Sequence, residues 1–259
     1  MGVSGMTRLL VVGVAVSLSS LARAQQADQG KDTSGTNPTV LSRTLNVTNE
    51  HKRLSNGRYA NTLTTKFTEP FADGRMSIRF NVPYAMSNVT GRTIDGLGDM
   101  SAKLTWLAYL DRRQGLVVST EVFGPSAMDR TLGMGRWVAA PGATYAYFLT
   151  PEVILAPALV HNVSSGGNTA RADVNRTDFD FYAVYRPKGQ NWWLTSDVTI
   201  SRDFVARTTP MSWKLALGSG LAKLDNGAAL NLSIRPGVGF GPDRPFRWSI
   251  EVGLSLVGF

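Results

Sequence analysis

The chain has 259 residues and a mass of 28.0 kDa, with 27 Lys and Arg against 19 Asp and Glu, a formal net charge of +8. At 43% apolar and 18% charged it is too greasy and too sparsely charged for a disordered polymer, and its length suits one large domain. Having no cysteine, it has no disulfide scaffold, thiolate metal site, cysteine nucleophile or lipid-modified N-terminal Cys, and two histidines, His51 and His161, argue against a multi-histidine metal centre.

Arg8 precedes the apolar run Leu9–Val16, small residues follow, and Ala22-Arg23-Ala24 fits a small-x-small cleavage pattern. Residues 1–24 therefore read as a secretory signal peptide rather than an uncleaved anchor, since the run is short and Arg23 closes it. Residues 25–36 are polar and rich in Gly, Ser, Thr and Asp, and are expected to be a flexible periplasmic tether. The remainder, 37–259, reads as one domain. No later apolar run approaches the ~20 residues of a membrane helix, which excludes a multi-helix membrane protein but not a β-barrel.

That remainder alternates with period two. In Met76–Met86 the even positions are Met76, Ile78, Phe80, Val82, Tyr84 and Met86, and the odd ones are Ser77, Arg79, Asn81, Pro83 and Ala85. The pattern recurs in the segments around 100–110, 178–185, 194–200, 211–218, 230–235 and 246–255. Short turns are expected at Ala72–Arg75, Asp111–Gly115, Thr150–Glu152, Pro187–Asn191 and Asp225–Gly227. Longer links are expected near 88–96, 124–134, 163–173, 203–210 and 239–245. Short turns at one end and longer loops at the other describe a transmembrane antiparallel β-barrel, all-β, with the short turns in the periplasm. Periplasmic termini require an even strand count. Twelve results if Thr39–Val47 is the first strand and Thr48–Arg58 the first outer loop; ten results if 135–149 and 153–162 are not a strand pair. Bulges or strand ends are expected at Pro83, Pro141, Pro157 and Pro236, and a bulge or frayed end at Phe259, which is out of phase with Leu254 and Leu256.

A soluble sandwich or lipocalin-like barrel would alternate too. A soluble barrel core would have to bury Arg79, Lys103, Glu121, Asp178, Asp180, Asp197, Lys214, Arg235 and Glu251, each costing several kcal/mol unless paired.

The chain resembles the bacterial outer-membrane family of the meta-pathway of phenol degradation, whose members carry a transporter label or the misleading name neuromedin U. The resemblance covers 37–259. It rests on Gly96-Leu97-Gly98-Asp99, on Leu132-Gly133-Met134-Gly135-Arg136-Trp137 with Pro141 four residues on, and on Asn37-Pro38, Glu69-Pro70-Phe71 and Asn81-Val82-Pro83-Tyr84. Met134-Gly135-Arg136 departs from the small polar residue and Lys more usual there; Arg136 keeps the charge. The resemblance implies an outer-membrane barrel that helps small, often hydrophobic compounds across. It implies neither a catalytic residue nor a known ligand, and no residue pattern calls for a cofactor.

The candidate functional surface is the lumen. Lys66, Arg79, Lys103, Arg176, Lys214, Arg235 and Arg247 are expected there against Asp99, Glu121, Asp178, Asp180, Asp197 and Glu251, either as a self-satisfied salt-bridged interior or as a polar path favouring anions. Asp178 and Asp180 are expected to pair with Arg176 and Arg186. Gly96–Asp99 lacks the strand–helix context of a phosphate loop; its glycines are expected to permit a tight re-entry from loop to strand, and Asp99 to cap a turn or pair inside the wall. His161 with Ser164 is a poor hydrolase pair, since residues three apart on a strand face opposite ways, and Asn162, the nearby candidate for an orienting amide, lies on the face opposite His161. Tyr59, Tyr84, Trp106, Trp137, Trp192, Trp193, Trp213 and Trp248 are expected in interfacial girdles. The basic residues form no run or stripe of the kind that binds nucleic acid. The expected partners are outer-membrane lipid, lipopolysaccharide and a small-molecule solute.

Overall fold

A computed structural model describes residues 32–259. The signal-peptide reading of 1–24 lies outside the described residues. Thirteen strands form one antiparallel sheet: β1 Thr44–Arg53, β2 Tyr59–Phe71, β3 Met76–Ser87, β4 Ile94–Leu97, β5 Ser101–Leu110, β6 Gln114–Phe123, β7 Arg136–Phe148, β8 Val153–Gly167, β9 Asn175–Tyr185, β10 Trp192–Asp203, β11 Met211–Lys223, β12 Ala229–Phe240 and β13 Trp248–Val257. Strands pair with their sequence neighbours, except that β4 and β5 both pair with β3 and not with each other, and β13 returns to β1 along Thr44↔Val257 to Arg53↔Trp248, so the wall is closed.

The wall has twelve staves. β4 and β5 are one stave broken at Gly98–Met100: both pair with β3, β4 opposite Tyr84–Ser87 and β5 opposite Met76–Asn81. The break lies beside Pro83, which has no N–H to donate; its carbonyl still accepts from Gly98 N at 2.9 Å. The other prolines follow the same rule. Pro141, Pro157 and Pro236 each keep a partner on one side, in Thr120, Phe181 and Ile250, and sit at a gap in the ladder on the other. β7 and β8 are both full strands, which gives twelve staves rather than ten.

The first strand is displaced from the sequence expectation. β1 starts at Thr44, not Thr39, and runs on to Arg53, so the first outer loop shrinks to a tight turn around Ser55–Gly57. Arg43, which interrupts the alternation, precedes the strand and forms an ion pair with Glu69 at 2.6 Å. At the other terminus Gly258, at φ +78°, ends the alternation, and the Phe259 ring meets the Arg43 guanidinium at 5.9 Å.

One face of every stave is apolar and points away from the barrel. Phe80, Trp106, Leu159, Leu217 and Val252 are about half exposed, as are their same-face neighbours all around the wall. An apolar belt of that extent would aggregate in water; in lipid it is the stable outer surface of a transmembrane barrel. A soluble barrel would turn this face inward. Trp106, Trp137, Trp213 and Trp248 lie on it, as expected for girdles. Trp193 does not: it is buried, lying over Gly218, its register partner, where a Cβ would fall inside the indole.

Short turns close one end at 72–75, 111–113, 149–152, 186–191 and 224–228. In one of them Asp111 accepts the Tyr109 hydroxyl at 2.6 Å and the amides of Arg113 and Gln114, which hold its carboxyl below the usual carboxylate range. The opposite end carries the longer loops, of which 124–135, between β6 and β7, is the longest.

Candidate functional site

Which way the charges point follows from contacts that cross staves. Lys214 on β11 reaches Glu50 on β1 at 2.6 Å, although β12 and β13 lie between them in the wall. Arg235 on β12 pairs with Asp197 on β10 across β11, and lies 3.8 Å from Glu251 on β13. Such bonds form only through the interior, so the polar face lines the bore. Glu50 belongs to this network, and also holds Lys52 at 3.0 Å. Sequence reasoning missed it because it assigned 48–58 to a loop.

The bore has two unlike halves. On β9 to β13 and β1 the charges are paired, as above, and Arg176 pairs with Asp178 at 2.9 Å. Asp178 also accepts from Asn162 and Ser201. Asp180 does not pair with Arg186; it accepts the Thr199 hydroxyl at 2.6 Å, while Arg186 binds Asp32. On β2, β3 and β5 the pattern changes. Lys66, Arg79 and Lys103 have no salt-bridge partner within 4.0 Å among the described residues. Arg79 donates to the Thr68 hydroxyl at 3.1 Å. Glu121, the register partner of Lys103, accepts instead from Asn81 at 2.7 Å and Ser101 at 2.5 Å.

Two expected lumen charges are elsewhere. Arg247 precedes β13 and is exposed at the long-loop rim, its amide bonded to the carbonyl of Arg53. Phe246 beside it is buried and lies 5.7 Å from the Lys214 ammonium, so the outward phase of the last strand begins only at Trp248. Asp99 is an anchor, not a free charge. Its carboxylate accepts the amides of Ala127 at 3.0 Å, Gly135 at 2.9 Å and Met134, and it is 8% exposed. Gly133 packs so closely on it that a Cβ would sit 2.6 Å from Oδ2. Gly135 has φ +64°. The two glycine motifs are thus halves of one clasp that folds loop 124–135 onto the rim. Arg171 extends it, bonding the carbonyls of Gly133 and Met134, and Arg136 pairs with Asp173.

The short-turn end is crossed by the chain itself. Of the stretch read as a tether, residues 32–36 are folded against the inner wall. Asp32 pairs with Arg186 at 2.6 Å and accepts the amides of Ser34 and Asn37. Thr33 O accepts from Asn231 on β12. Asn37 then caps a turn, accepting the amide and hydroxyl of Thr39. Thr39 is fully buried and packs on Gly115 at the start of β6, on the far side of the barrel from β12. A cavity of about 770 Å³ remains beside the segment, lined by Asp32, Arg186, Lys188, Trp193, Lys223 and Asn231 among others.

His161 points outward, with Nδ1 2.9 Å from the Thr177 hydroxyl, whereas Ser164 points inward and accepts the amide of Val174. The two lie on opposite faces of β8 and assemble no nucleophile–base pair. Among the described residues no group of three or more His, Asp or Glu is placed to hold a metal ion.

No family model matches the chain, and no curated protein matches it. Solved structures do. An outer membrane channel from Pseudomonas putida F1 superposes with a TM-score of 0.61 at 12% identity, covering 85% of this chain and 95% of that one. The NanC porin gives 0.58 at 10% identity, covering 83% and 99%. The KdgM porin, solved with disordered oligogalacturonate, gives 0.55 at 7% identity, covering 82% and 97%. At these identities the likeness is one of fold: the chain is built as outer-membrane porins and channels are.

Proposed function

We propose that the chain is an outer-membrane channel for passive passage of small molecules, aromatic or otherwise hydrophobic, and a member of the phenol meta-pathway family. In this reading it is exported by residues 1–24, with its short turns in the periplasm, its long loops outside and its belt in contact with lipid and lipopolysaccharide. The observation that carries it is the charged inner wall. Inward-facing Arg79 lies mid-wall yet is exposed, which requires open space inside the barrel. A wall built only for stability would fill that space with packed or paired side chains. The fold shared with porins and channels supports the same reading.

The second reading is a structural barrel with a plugged lumen, favoured by the segment at 32–43 crossing the short-turn mouth. Liposome swelling separates the two. Vesicles holding the refolded chain without residues 1–24 are diluted into isotonic solutes of graded size. Swelling with the smallest solutes and a cut-off at larger ones is expected for a narrow path. Vesicles no leakier than protein-free controls, with the barrel folded, would favour the plugged lumen.

A further inference from the structure

Three cations stand on consecutive staves at Lys66 (β2), Arg79 (β3) and Lys103 (β5). Arg79 and Lys103 are register partners, so their Cβ atoms are ~5 Å apart on one face, where like charges repel. Lys66 is the register partner of Asn81, two residues from Arg79 on the same inner face. Elsewhere on the inner wall cations sit against carboxylates: Lys214 and Lys52 have Glu50, Arg235 has Asp197 and Arg176 has Asp178. Two carboxylates lie near the three: Glu121 is turned to Asn81 and Ser101, and Glu251, within electrostatic reach of Lys66, is shared with Arg235 at 3.8 Å. The patch therefore has more positive charge than its own wall neutralises, and it faces the bore.

We propose that Lys66, Arg79 and Lys103 form a binding site for a small monovalent organic carboxylate on its way through the barrel. The guanidinium offers a planar fork matched to a carboxylate, and the two ammonium groups flank it as mobile point charges. Glu121 stands beside the patch, and Lys103 is within electrostatic reach of Asp180 on the opposite wall. These acids penalise a multivalent anion more than a monovalent one, which selects a carboxylate over phosphate. The site rests on the passage reading and narrows its substrate class.

The test is binding, so that it fails separately from permeation. The refolded chain without residues 1–24, in uncharged detergent, is titrated calorimetrically with sodium benzoate and with inorganic phosphate. Lys66→Gln/Arg79→Gln/Lys103→Gln is the variant, single Lys103→Gln is the backup should the triple fail to fold, and Arg92→Gln in an exposed loop is the control. Heat-modifiable gel migration checks folding. Saturable benzoate binding is expected, weakened at least tenfold by the triple change, measurably by Lys103→Gln, and not by Arg92→Gln. A folded wild-type barrel that binds no benzoate, or binding that survives the substitutions, would overturn the site; phosphate binding more tightly than benzoate would overturn the carboxylate class. Benzoate binding without vesicle swelling would keep the site and sink passage, and swelling without binding would do the reverse.

Discussion

Asp99 shows how much one side chain can organise. Three backbone amides from a loop nearly thirty residues or more away converge on its carboxylate, and Gly133 makes room for it. A charged acceptor of this kind contributes more than a neutral hydrogen bond, and its loss strands buried donors. Asp99→Ala is expected to cost roughly 3 kcal/mol of loop anchoring and to leave the barrel itself intact. Limited proteolysis would then cut within 124–135 much faster than in wild type, with unchanged heat-modifiable migration. Equal cleavage rates would mean that the clasp does not hold the loop. The sequence marked Asp99 through its glycine neighbours but placed it among the lumen charges. Parity gave its face, and a capping role was one of the two readings, but nothing local showed that the capped turn would belong to a loop some thirty residues away.

At the scale of elements, period-two alternation located the staves because lipid outside and water inside impose opposite demands on successive side chains. It failed where that demand lapses. Thr39–Val47 carried polar residues that fit a poor strand; Asp32, Asn37 and Thr39 instead satisfy one another and Arg186 inside the mouth. The same polarity marked 25–36 as a tether; of these the described residues 32–36 are held by hydrogen bonds, which have no periodic signature. The start of the alternating segment at 246–255 failed for the opposite reason: Phe246 matches the strand in phase, but it is buried in a loop, 241–247, that ends before the ladder begins at Trp248. The crossing segment is held chiefly by Asp32. Asp32→Ala removes the acceptor of the Arg186 pair and of two amides, and is expected to loosen its docking by roughly 2–4 kcal/mol. Single-channel conductance should rise or become noisier while the barrel stays folded. An unchanged conductance would show that the segment does not limit the path.

For the whole molecule, the division of charge is the informative feature. The alternation exposed a list of lumen candidates; Lys214, Arg235, Asp197 and Glu251 among them take part in contacts that cross staves, whereas Asp99 anchors a loop and Arg247 stands at the rim. Their partnership was not legible, because it depends on contacts across the bore, such as Lys214 with Glu50, that no local window contains. The structure sorts them into a paired arc and an unpaired basic arc. On the proposed reading, a closed wall with apolar exterior, a loop clasp at one end, a strut at the other and uncompensated positive charge between them makes a narrow, anion-favouring path. The most direct test is the current through single barrels of the refolded chain in a planar bilayer, with unequal KCl on the two sides. Small discrete steps are expected, with a reversal potential that marks chloride as the more permeant ion. Folded barrels that insert and carry no current, in wild type and in Asp32→Ala alike, would contradict an open lumen and return the protein to a structural role.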